Sequence, residues 1–328
     1  NMSKNRSLLS RILLKPVFSF FFWIFLSSIV PVFLETDFPL GNKPQYDQDR
    51  YLTSTSLYRL NSESVLSSGL VNSDIVIVTA HPDDESMFFT PSIIELAKRN
   101  YNNTLHLLCL SNGNYDGLGS VRQQEIVKAA SFLQIDDVKV LDFEDDIHKK
   151  WNKNDISNTL TEELEHMDLK THRIRLLTFD DRGVSGHPNH FSLFYGCKQF
   201  IKDYTSNHEG RYASVRMFAL KSWSLPEKYS SFLWVNIQLI YKYLVQLGIT
   251  RRIEILVNHF TNKNVIALPE SLSGMKHSFI IYNNFNSWFV SLSTMTYAHY
   301  SQIVWFRWFW IFLSKYMNCN ELVLVANV

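Results

Sequence analysis

Two short stretches concentrate side chains able to do chemistry: Ala80-His81-Pro82-Asp83-Asp84-Glu85 and His187-Pro188-Asn189-His190. His81, Asp84 and His190 offer two imidazoles and a carboxylate, a set that holds a divalent metal while leaving positions open to water. Zinc suits the set because it lowers the pKa of bound water to about 7 and polarises a carbonyl oxygen. Asp83 and His187 then remain beside that water as non-ligands. A carboxylate so placed takes the water's proton, and an imidazole opposite steadies an oxyanion and protonates a leaving amine. These are the parts of metal-assisted amide hydrolysis. Two His and one carboxylate also make the site of non-haem iron oxygenases, although an oxygenase has no need of Asp83 and His187. A polar turn whose Asp caps the next helix explains either stretch alone. It does not explain two of them at two strand ends.

A scaffold must bring the two stretches together. Asp74–Ala80 and Thr104–Ser111 are apolar, partly β-branched runs of buried-strand type, with further strands at Val138–Asp142 and Arg173–Phe179. Helices are expected over Glu85–Arg99, from Ser120 with Gln123 closing a capping box, near Ile156–Met167, and over Pro188–Tyr204. The alternation predicts an α/β fold: a Rossmann-like, mainly parallel sheet with helices on both faces. In such a sheet ligands bind beyond the carboxyl ends of the strands. The first stretch follows the first strand and the second follows the strand ending at Phe179, so both fall on one rim. His106, His148, His166, His172, His208, His259 and His277 have no such company and are assigned to core or surface.

The 328 residues carry 32 Lys+Arg against 31 Asp+Glu, a net charge of +1, which removes the electrostatic case for a nucleic-acid partner. Charged residues are only 19% and aromatics 14%, which excludes disorder and puts a purely soluble enzyme in question. Cys109, Cys197 and Cys319 are too scattered for a disulfide framework or an all-Cys metal site. Pro16–Leu34 is uncharged and spans about 28 Å as a helix, enough for a transmembrane anchor. The expected organisation is a basic segment and anchor over 1–34, a linker over 35–73, and a catalytic domain over 74–328. Within that domain, Ser230–Gly248 reads as an interfacial helix with a narrow polar face of Asn236, Gln238, Lys242 and Gln246, the alternative being a buried core helix. Val304–Leu313 sets tryptophans beside Arg307, as suits a headgroup layer, and equally reads as a hydrophobic helix packed on the sheet.

From about Ile75 onward the chain resembles the PIG-L/LmbE-type zinc deacetylase family. The resemblance rests on AHPDDE at Ala80–Glu85, LGSVRQQE at Leu118–Glu125 and GVSGHPNH at Gly183–His190. AHYSQIVWFR at Ala298–Arg307 looks like the C-terminal signature of the family's glycolipid-processing branch. The resemblance implies metal ligands at His81, Asp84 and His190, a general base at Asp83, and a His187 that polarises the acetyl carbonyl or protonates the amine. It implies a membrane-held glycolipid substrate, N-acetylglucosaminyl-phosphatidylinositol, deacetylated in glycosylphosphatidylinositol-anchor synthesis. Another N-acetylglucosamine conjugate is the alternative substrate, and a non-catalytic membrane scaffold the alternative class. Arg122 becomes a candidate for sugar hydroxyls or phosphate, its other reading being a helix-face salt bridge. His299 and Gln302 become substrate-side candidates. The implied location is the endoplasmic reticulum membrane with the catalytic domain on the cytoplasmic face. The charge count opposes that, since Lys4, Arg6, Arg11 and Lys15 precede the apolar run and only Lys43 and Arg50 closely follow it.

Overall fold

The computed structural model describes residues 15–34, 58–207, 211–261 and 277–328. Among them lies a seven-stranded sheet of order β3-β2-β1-β4-β5-β7-β6. Its strands are β1 Asp74–Thr79, β2 Thr104–Cys109, β3 Asp137–Val140, β4 Arg173–Phe179, β5 Ser214–Leu220, β6 Ser278–Tyr282 and β7 Cys319–Asn327. β1 to β5 pair in parallel; the alternation of strand and helix predicts β1 to β4, while β5 is not among the expected strands. β7 runs antiparallel to both β5 and β6, an edge the sequence reading did not foresee. Every residue of β1 is buried, which is why that strand is a continuous apolar run without alternation.

The helices are α1 Lys15–Ile29, α2 Tyr58–Ser68, α3 Thr90–Leu96, α4 Gly119–Leu133, α5 Lys153–His166, α6 Pro188–Asn207, α7 Phe232–Gln246, α8 Ile249–Thr261, α9 Phe285–Ser293 and α10 Arg307–Leu313. The sheet grows one way from β1 to β3 and the other way from β4 to β5. Right-handed crossovers therefore put α3 and α4 on one face and α5 and α6 on the other. The order reverses between β1 and β4, and the crevice beyond their carboxyl ends is where such sheets bind ligands.

Several local expectations change. The helix foreseen over Glu85–Arg99 is broken: a π turn, Glu85–Phe89, precedes α3, which stops at Leu96. Ser120 does not cap α4. Its N-cap is Leu118 without a side-chain bond, and Asn114 Oδ1 accepts the Gly119 N–H at 3.0 Å instead. Part of the expected linker over 35–73 is α2, pinned by Asn61, which donates to Glu95 at 2.7 Å and to the Tyr282 carbonyl at 2.9 Å. Residues 35–57 of that linker lie outside the described residues.

The apolar segments also differ from expectation. No single helix among the described residues is long and apolar enough to cross a membrane. Within the apolar run at 16–34, α1 packs along the domain, with Trp23 fully buried against Phe232 and Trp288. The carbonyls of Ser19 and Leu26 accept from Asn236 and Tyr243 of α7, and Phe18, Phe21 and Phe33 face outward. The polarity of α7 is the reverse of a polar-out helix: Asn236 and Gln238 are buried, while Leu233, Trp234, Ile237 and Ile240 are exposed. α7 and α8, bent by 75°, together have the length and composition of a broken span. Apolar side chains exposed on this scale mark a partner or lipid surface.

Candidate metal centre

Beyond β1 the chain turns through His81-Pro82-Asp83 into the π turn. Beyond β4 a single turn, Gly183–Gly186, leads to His187 and into α6. The two turns bring ligand atoms of His81, His187 and His190 within 4.8 Å of one another. Asp84 joins them, its Oδ1 lying 3.2 Å from His190 Nε2. His81, Asp84 and His190 are buried and His187 is half-buried. Asp83 has φ of 138° and Val184 of 61°, values that cost a non-glycine residue about 1–3 kcal/mol each and cluster at functional sites.

Hydrogen bonds decide which ring nitrogens carry protons. His190 Nδ1 is 3.1 Å from the Gly183 carbonyl, which only accepts, so Nδ1 donates and Nε2 keeps its lone pair. That Nε2 is buried without a hydrogen-bond partner. His81 Nε2 faces Asp145 Oδ1 at 3.1 Å, which leaves the His81 lone pair on Nδ1, 3.8 Å from Asp84 Oδ2. The Asn189 side-chain amide meets the same Nε2 at 3.1 Å, and turning it over gives that N–H a second acceptor. Asp84 Oδ2 accepts the backbone N–H groups of Ala80 and His81 at 2.9 and 3.0 Å, leaving Oδ1 free. His187 is arranged the other way. Its Nδ1 accepts the Asn189 N–H at 3.3 Å, so a neutral His187 carries its proton on Nε2. An orphaned lone pair on His190 beside Asp84 Oδ1, with the His81 ring in the same cluster, fits a divalent cation.

The electrostatics show what holds the place when no cation does, namely protons on the imidazoles around Asp84. Burial raises the Asp84 pKa, but His190 and His81 outweigh it and hold the carboxyl below the usual carboxylate range. Burial also lowers the His81 pKa, and Asp145, Asp84 and Asp83 more than offset it, so a cation bound here competes with a proton. Burial first, then His190 and His81, bring His187 down to about 4, which keeps it neutral near pH 7.

Asp83 is held on several sides. Its Oδ2 accepts from Arg307 Nη2 at 2.7 Å, its Oδ1 faces Arg122 Nη2 at 3.4 Å, and its N–H donates to Glu85 Oε2 at 3.2 Å. Glu85 Oε1 in turn lies 2.5 Å from His299 Nε2, with both side chains wholly buried. His299, expected on the substrate side, therefore has no open face and sits behind Asp83. Arg122 donates to the carbonyls of Gly113 and Pro82 at 3.0 and 2.7 Å, bracing the turn that carries Asp83. Gln302 donates to Ser301 Oγ at 2.9 Å, and Ser301 is bound to Glu125, so its bond leads to α4 and not to the His cluster. Sequence reasoning missed Asp145 and Arg307 as parts of the site, and gave Glu85, although inside the first stretch, no role. Asp145 announces itself only as an acid just past the third strand, on the rim where the motifs meet.

Gly183 has φ of 58°, and a Cβ there would come within 2.8 Å of His190 Cβ and 3.0 Å of the Phe191 nitrogen. Gly183→Ala is expected to cost about 1–3 kcal/mol and to lower retained metal by displacing His190. Thermal unfolding and metal analysis check both. Unchanged values would show that the loop adapts.

Residues 76–201 match the family model described as PIG-L: GlcNAc-PI de-N-acetylase. A probable N-acetylglucosaminyl-phosphatidylinositol de-N-acetylase from Schizosaccharomyces pombe is 35% identical, over 83% of this chain and 96% of that one. The N-acetylglucosaminyl-phosphatidylinositol de-N-acetylase of Saccharomyces cerevisiae is 32% identical, over 76% of this chain and 80% of that one. A solved N,N'-diacetylchitobiose deacetylase from Pyrococcus horikoshii is similar at 14% identity and a TM-score of 0.41, over 72% of this chain and 73% of that one.

Proposed function

Because the chain belongs to the PIG-L family of GlcNAc-PI de-N-acetylases, we propose that it hydrolyses the N-acetyl group of N-acetylglucosaminyl-phosphatidylinositol, releasing acetate and glucosaminyl-phosphatidylinositol in glycosylphosphatidylinositol-anchor synthesis. The observation that carries this reading is the hydrogen-bond pattern of the His cluster. It leaves lone pairs on His81, Asp84 and His190, with Asp84 Oδ1 3.2 Å from His190 Nε2 and Asp84 Oδ2 3.8 Å from His81 Nδ1, and it makes the neighbouring His187 an N–H donor.

His81, Asp84 and His190 would hold the metal, with zinc the proposed ion. A divalent ion there supplies Lewis acidity toward a carbonyl oxygen and water. The other steps belong to the chain. Asp83 takes a proton from the attacking water as the water oxygen bonds to the acetyl carbon. The Nε2–H of His187 donates to the carbonyl oxygen as negative charge develops on it. When the C–N bond breaks, the proton held by Asp83 passes to the departing nitrogen, giving a free amine and acetate. Arg307, Arg122 and the Glu85–His299 pair hold the Asp83 carboxylate and backbone in place. The exposed apolar faces of α1, α7 and α10 support a membrane-held substrate. The endoplasmic reticulum membrane, with the domain on its cytoplasmic face, is the location proposed with it.

The test is acetate release from N-acetylglucosaminyl-phosphatidylinositol by the full chain, with and without a chelator. Release that the chelator abolishes and zinc restores is expected. Absence of release from the metal-loaded protein would overturn the reading, and restoration by iron(II) but not zinc would reassign the metal.

A further inference from the structure

Lys228 is buried, only 5% exposed, in a single turn between β5 and α7. Its ammonium has three N–H donors. One of them meets the Val184 carbonyl at 3.2 Å. The remaining surroundings are aromatic: the Trp310 ring centre lies 5.2 Å away and the Tyr229 ring centre 5.5 Å away. No carboxylate among the described residues pairs with it. The nearby Glu227 is taken by Lys315 at 2.8 Å. Burial alone pushes the Lys228 pKa down. A buried cation without a counter-ion is costly, and the described residues offer none here.

The position of this cation carries a meaning of its own. On one side, Val184 belongs to the loop bearing His187 and His190, and Trp310 reaches His190 through Phe88, at ring separations of 5.2 and 5.7 Å. On the other side, the residues after Lys228 form the wall of an apolar groove of about 950 Å³ between α1 and α7, lined by Phe18, Phe22, Leu233, Ile237, Ile240 and Phe312. α10 links the same two places. Arg307 at its start holds Asp83 and Phe312 near its end lines the groove, a rise of about 8 Å over five residues. Metal centre, unpaired cation and apolar groove thus stand in the order amide, phosphodiester, acyl chain.

We propose that Lys228 receives the phosphodiester of the glycolipid substrate and that the adjoining groove takes an acyl chain, an inference that rests on the substrate reading above. An anion on Lys228 satisfies the free N–H donors in a charge-assisted pair. The groove is of the size and apolar character of a ligand site. Lys228 is on this account a residue of specificity, separating phospholipid-linked N-acetylglucosamine from the bare sugar.

Three substrates separate the contributions: N-acetylglucosaminyl-phosphatidylinositol, its deacylated glycerophospho form, and phosphate-free N-acetylglucosaminyl-inositol. Acetate release by the wild-type full chain is read first; if the diacyl substrate gives none, the substrate reading fails and this inference falls with it. Lys228→Met is expected to lower the preference for both phosphate-bearing substrates over the phosphate-free one by about tenfold to a hundredfold, mainly through KM. Lys228→Arg is expected to recover most of that preference. Ile237→Trp, which fills the groove, is expected to raise KM for the diacyl substrate alone. An equal fall on all three substrates with Lys228→Met would make Lys228 a brace for Val184 and overturn its role, as would no change. Equal effects of Ile237→Trp on acylated and deacylated substrates would remove the acyl chain from the groove. If Lys228→Met does not fold, Lys228→Gln is read by the same ratios.

Discussion

Asp83→Asn is expected to lower kcat for acetate release by about 10²- to 10⁴-fold, the usual contribution of a positioned general base. The substitution keeps the shape of the side chain and one acceptor oxygen, so Arg307 or Arg122 retains a partner. It removes the group that takes the water's proton and later delivers it to the amine. KM should change little, because both Asp83 oxygens are engaged by arginines of the chain itself. Metal content should also hold. None of the three lone pairs gathered at the His cluster belongs to Asp83. Loss of metal in Asp83→Asn would make Asp83 a ligand. Undiminished turnover would remove it as the base and leave Asp84 or Asp145 to be tested next.

That expectation draws on residues legible in the sequence, and the reason they were legible is topological. A parallel sheet whose strand order reverses at β1 and β4 must place the loops after those strands together. That rule alone puts His81 to Glu85 and His187 to His190 on one rim. What supports them was not legible, because it arrives from distant parts of the chain. Arg307 reaches Asp83 across 224 residues and His299 reaches Glu85 across 214; spacing along the sequence carries no trace of either contact. The motif containing both residues suggested substrate contact, since the sequence does not reveal which face of a short helix is covered. The edge strands were hidden for a different reason. β6 and β7 are joined by antiparallel pairing and interrupted by α9 and α10, outside the strand-then-helix rhythm that identified β1 to β4. On α7, Asn236 has the look of a solvent-facing residue in the sequence, but it is buried and donates to the Ser19 carbonyl of α1.

The covered position of His299 makes its loss a matter of stability before kinetics. His299→Ala is expected to destabilise the protein by about 3–5 kcal/mol, the cost of leaving one member of a buried ion pair without its partner. Glu85 would keep the Ser86 hydroxyl at 2.6 Å and the Asp83 N–H at 3.2 Å, but no cation. The loss has a pH signature. Burial lowers the His299 pKa, and Glu85 more than offsets it, so the folded value lies above the ordinary 6.5. A raised folded pKa contributes stability that is fully present below the unfolded value and is lost as pH rises through the folded one. The gap between wild type and His299→Ala in thermal unfolding should therefore be widest below about pH 6 and narrow toward alkaline pH. Turnover should fall as well, through kcat. Glu85 is the group that holds the Asp83 N–H, and without a fixed Glu85 the strained φ of 138° at Asp83 has less to maintain it. A substrate contact predicts a different pair of results: unchanged melting at every pH and a raised KM. If those are found, His299 reaches the sugar after all and the packing around α9 must open when substrate binds. The buried Glu85–His299 pair predicts the opposite, because both of its members are shut away from the rim they support.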